Sequence, residues 1–136
     1  MIPAGSRQLR RAFFKHAEQA KKGTSPSHYL LLFYAVECGL KSIYLNRART
    51  RVRTTHDISD ERLRRSHDLA RWALELRLPS VITRANTFFR LRSDNSSWSI
   101  DYAHEAWRYG IAMHPADEQR LVHWLKLVHQ WIEENI

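Results

Sequence analysis

Four pairs of side chains in this 136-residue chain have the types and spacing for chemistry. Glu37 and Lys41 stand four apart with the acid first, the order in which two charges meet on one face of a helix. Exposed, such a pair contributes roughly 0.2–0.5 kcal/mol. Inside an apolar helix it needs further polar partners, and Arg108, His67 or Asp68 could supply them. Ser66-His67-Asp68-Leu69 puts an imidazole and a carboxylate at a helix start, where the plainest roles are a cap and a hydrogen-bonded histidine. Arg62 precedes His67 with four residues between, and Arg108 precedes His114 with five between. A histidine near neutrality moves protons, and an arginine fork holds a phosphate while charge builds in an in-line attack. Either pair therefore suits metal-free RNA cleavage by the ribose 2′-hydroxyl. With 17 Arg and 8 His in the chain, such spacings also arise by chance.

The alternating run Arg47, Arg49, Arg51, Arg53 suits contacts with a nucleic-acid backbone, and otherwise reads as a solvated loop or helix end. A formal charge of +8 and a pI near 10.1 point to an anionic partner, nucleic acid or nucleotide first and acidic lipid second. His123 and His129 lie six apart, off any shared helix face, with no Glu or Cys to complete a metal set, so neither metal nor cofactor is expected. There is no Gly-rich phosphate loop and no nucleophile elbow. The single cysteine, Cys38, excludes an intrachain disulfide and fits a reducing cytoplasm, and the amino terminus lacks the apolar stretch of an export signal. A helical DNA-binding regulator would accommodate the charge, but no helix-turn-helix spacing is evident.

The elements that must position these residues are helical. Four Gly and four Pro are few for an all-β chain, and 43% hydrophobic residues over this length suit one domain spanning 1–136. Tyr29 to Leu45 is apolar nearly all round a helix, which predicts an enclosed central helix from Ser25-Pro26 to about Arg47. It is too short, and too charged at Glu37 and Lys41, to cross a membrane. A first helix is predicted from about Ser6 to Lys22, with Leu9, Phe13, His16, Ala17 and Ala20 on one face. Ser59-Asp60-Glu61 reads as a helix start, and Arg62 to Arg65 as a turn or two. A third substantial helix follows over about 67–78. A fourth near 80–92 would turn Val81, Ile82, Ala85, Phe88, Phe89 and Leu91 inward. SDNSSWS is a turn-rich break before a short helix carrying Tyr102, Ala106 and Trp107 inward. The last helix, about 116–135, has Leu121, Trp124, Leu125, Val128, Trp131 and Ile132 on one stripe, facing the core or a second copy of the chain. The expected architecture is an all-α, up-and-down bundle of about four to five main helices.

AVECGLKSIYL, SHDLARWALEL and the WRYG around Arg108 and Tyr109 together resemble the HEPN (higher eukaryotes and prokaryotes nucleotide-binding) domains. That family's second helix carries an ECxLKA-like stretch, followed by an H-D-L turn and an R-Y-P element. The resemblance spans roughly residues 8 to 135. It maps Glu37 and Lys41 to the second-helix pair, His67, Asp68 and Leu69 to the turn, and Arg108 with Tyr109 to the R-Y element, where Gly110 replaces the proline. It implies a helical bundle, commonly a two-fold homodimer, in toxin-antitoxin, antiphage defence and RNA-processing systems. Many members are metal-independent endoribonucleases with an arginine, four to six residues, then a histidine. Carried over, this makes Arg108 and His114 the catalytic pair, supported by Glu37, Lys41, His67, Asp68 and Tyr109, with Arg47 to Arg53 holding RNA. Other members bind a nucleotide or scaffold a complex with an antitoxin or defence partner, which is the alternative reading.

Overall fold

The computed structural model describes residues 2–48, 53–60 and 67–136. Helix α1 (Ser6–Ala20) opens on Gly5, whose amide donates to the side chain of Gln8 at 2.8 Å. Helix α2 (Pro26–Arg47) opens with proline in its first turn, where a missing N–H costs nothing. Then come α3 (Leu69–Glu75), capped by the Asp68 carboxylate accepting from the Arg71 amide, and α4 (Ser80–Thr83). Strands β1 (Phe89–Arg90) and β2 (Ser97–Trp98) form an antiparallel pair. Helix α5 (Ala103–Tyr109) and the long α6 (Pro115–Asn135) complete the chain. Asp117 and Glu118 occupy the first turn of α6, at the positive end of its dipole.

The protein is an all-α bundle with one small hairpin on its edge. Helix α2 is central, packing against α1, α3, α5 and α6. That follows from its all-round apolarity: Phe33, Ala35, Val36, Leu40, Ile43 and Leu45 are buried on more than one side. The stripe of α6 faces this core, with Leu121, Trp124, Leu125, Val128 and Ile132 buried and Trp131 half-buried. Gly39 lets the elements close: a Cβ there would meet Ile132 Cγ2 at 2.7 Å and Phe13 Cδ1 at 2.8 Å, so α1, α2 and α6 converge on a position that admits no side chain. Among the described residues no helix is long and apolar enough to cross a membrane.

The expected fourth helix is the main correction. Helix α4 stops at Thr83, and the chain then runs extended. Asn86 accepts the Phe88 amide at 3.0 Å, a local turn that competes with helix. Burial thereafter alternates, with Thr87 and Phe89 in and Phe88 and Arg90 out. Val81, Ala85 and Phe88, expected inside, are exposed. Tyr102 is also exposed, while Ala106 and Trp107 are buried as their spacing requires. The turn over Arg62 to Arg65 lies outside the described residues.

Candidate functional site

A polar seam runs along one face of α2. Tyr34, Glu37 and Lys41 recur at three and four residues, so the helix presents them on one side. The Glu37 and Lys41 side chains are 13% and 12% exposed, with Lys41 Nζ 3.6 Å from Glu37 Oε2 and 5.9 Å above the Trp72 ring centroid. His67, just before the cap of α3, donates its Nδ1–H to Glu37 Oε1 at 2.6 Å. Burial raises the Glu37 pKa, but the hydrogen bond from His67 and the Lys41 ammonium beside it outweigh that, so the carboxyl lies below its ordinary value. Of the partners expected for the Glu37–Lys41 pair, Arg108, His67 or Asp68, it is His67 that meets Glu37, while Asp68 is the helix cap.

His104 and Arg108, one turn apart on α5, complete the cluster from the opposite side. The His104 ring lies 4.5 Å from the His67 ring and 5.3 Å from Phe33, centroid to centroid. It is 7% exposed, and its Nδ1 is buried without a hydrogen-bond partner. Burial, with the neighbouring His67 and Arg108, lowers the His104 pKa and keeps the ring neutral, against the opposing pull of Glu105 and Glu37. Arg108 is exposed, donates from Nη2 to the Tyr34 hydroxyl and sits 5.9 Å from the Tyr109 ring centroid. A carboxylate-tethered imidazole, a neutral imidazole with an unused nitrogen and an exposed guanidinium therefore share one seam. Its 46%-exposed member, His67, opens to solvent.

His114 sits elsewhere. It is the residue before α6, its amide donates to the Arg90 carbonyl, and its Nε2–H donates to Asn95 Oδ1 at 2.5 Å. Between Arg108 and His114 the chain turns at Gly110, whose φ of 68° no proline could adopt, and which therefore ends α5 where the family pattern has proline. Arg47 closes α2 by donating to the Leu76 carbonyl at 2.9 Å and lying over Trp131. Arg53 is exposed, and Arg49, Arg51 and Arg62 lie outside the described residues.

Sequence reasoning missed Tyr34 and His104. Both carried a usable signal: Tyr34 is three before Glu37, and His104 is four before Arg108, each on its partner's helix face. It also missed Asp117, buried and accepting from the Arg90 amide at 2.9 Å, Arg90 Nε at 3.0 Å and Arg120 Nη1 at 3.0 Å. Arg90 foremost, then Arg120, hold that carboxyl far below the usual carboxylate range. Among the described residues no group of three His, Cys, Asp or Glu side chains is arranged to hold a metal ion. No protein-family model, curated protein or solved structure matches the chain.

Proposed function

We propose that the protein is a HEPN-like, metal-independent endoribonuclease whose site is the Glu37–His67–His104–Arg108 seam. The observation that carries this reading is the Glu37–His67 hydrogen bond, with the His67 ring against His104, one turn from Arg108 on α5. It fixes the proton on Nδ1 and leaves Nε2 of an exposed imidazole as a base. His67 Nε2 takes the proton of a ribose 2′-hydroxyl. The 2′ oxygen bonds to phosphorus, the bond from phosphorus to the 5′ oxygen breaks, and that oxygen leaves with a proton from water. Arg108 holds the phosphate as charge gathers on its free oxygens. Glu37 stabilises the imidazolium formed on His67. His104 is a positioning residue that shapes the His67 ring's seat without adding a charge. The net charge of +8 and exposed Arg53 favour an RNA backbone over a neutral ligand.

The test is incubation of a mixed RNA pool with EDTA present, followed by end-group analysis. The wild type should leave 2′,3′-cyclic phosphate and 5′-hydroxyl ends, and Arg108→Ala should lower the rate about a hundredfold or more. Intact RNA in every case, with a nucleotide bound calorimetrically to the same seam, would replace this reading with the nucleotide-binding one.

A further inference from the structure

We propose that the hollow lined by Tyr109 is a subsite for one unpaired guanine next to the phosphate held by Arg108. The inference rests on the reading of the protein as RNA-acting. Four large apolar side chains that a folded chain would ordinarily cover gather here: Trp98 from β2, Tyr102 from the turn before α5, Tyr109 from its last turn and Ile111 beyond it. Tyr109 is 63% exposed. With Leu91 and Glu105 they line a cavity of about 200 Å³, the scale of a single heterocyclic base. Trp98 and Tyr102 stand edge to face at 5.2 Å between centroids, giving the wall a fixed shape. Aromatic walls of this kind hold bases by stacking, whatever their identity.

Charge and donor pattern narrow the occupant. Arg108 lies against Tyr109, so the cation that meets the phosphate adjoins the aromatic wall, and a nucleotide bridges the two with its base in the hollow. Glu105 of α5, the one acidic residue of that lining, stands one turn from both Tyr102 and Tyr109. Guanine offers two adjacent donors, N1–H and N2–H, that match two carboxylate oxygens. Adenine and cytosine offer one amino group beside an acceptor nitrogen, and uracil one N–H between two carbonyls that a carboxylate repels. Glu105 is half-buried, and a partly desolvated acceptor pair disfavours the bases that leave it unpaired.

The test uses short fluorescein-labelled 2′-O-methyl oligouridylates, which 2′-hydroxyl attack cannot cut, carrying one central guanosine, inosine, adenosine or cytidine. Fluorescence anisotropy should show the guanosine oligomer binding roughly tenfold or more tighter than the adenosine one. Inosine, lacking N2–H, should fall between them. Glu105→Gln should remove the preference, and Trp98→Ala should weaken all four oligomers alike. Equal binding of all four by the wild type would overturn the guanine subsite while leaving the ribonuclease reading standing. No binding of any oligomer, with no cleavage of the RNA pool, would overturn both.

Discussion

At the residue scale the central fact is a carboxylate nearly enclosed by protein yet held ionised by its neighbours. Glu37 meets Lys41 at 3.6 Å and His67 at 2.6 Å. Removing its charge strands Lys41 beside Trp72, so Glu37→Gln should cost about 2 kcal/mol of stability in urea melts. It should also slow RNA cleavage by about tenfold or more, because the imidazolium on His67 loses its counter-charge. His104 supplies the pH dependence. Its folded pKa lies below the ordinary 6.5, so the unfolded chain binds the extra proton first, and stability present above pH 6.5 is lost as pH falls toward the folded value. His129, lowered by burial, acts with the same sign. His104→Phe, which fills the same seat beside Phe33 without a stranded nitrogen, should flatten the Tm profile between pH 7 and pH 5 and lower activity. A profile as steep as the wild type's would refute that role. Cys38 is chemically quiet by comparison, since burial, with Glu37 adding, pushes its thiol up to about 11.

At the scale of elements, the sequence foretold what strong periodicity dictates. Helices α1, α2, α3, α5 and α6 lie where apolar spacing and the Ser25-Pro26 start signal put them. The 84–92 stretch misled because Ala85 and Phe88 continue the helical spacing of Val81, and the deciding interaction, Asn86 with the Phe88 amide, is a single side-chain turn. The same limit applies to the site. A charge in an apolar helix demands a partner, so His67 stands among three sequence candidates for Glu37, whereas the spacing of His104 to Arg108 on α5 says nothing of α2, against which α5 packs. Gly39 shows how tightly the docking is set. Gly39→Ala ordinarily gains helix propensity, yet here it must move Ile132 and Phe13, so it should destabilise by about 1–3 kcal/mol. A neutral or stabilising effect on Tm would mean that α1 and α6 are held less closely.

At the scale of the whole molecule, a basic bundle presents the polar seam and the aromatic hollow side by side, joined at Arg108 and Tyr109. The excess of cations predicts RNA affinity that falls steeply with salt. Arg53→Ala should reduce the slope of log K against log salt by about 0.7 without altering sequence preference, and an unchanged slope would remove Arg53 from the interface. The function of the seam turns on where the proton transfer takes place. Cleavage rates of the wild type, His67→Ala and His114→Ala, measured in parallel on one RNA with EDTA present, locate it most directly. His67→Ala should lose about a hundredfold or more, while His114→Ala, which removes a contact to Asn95, should stay within a few-fold of the wild type. Loss confined to His114→Ala would contradict this assignment and move the chemistry to the start of α6.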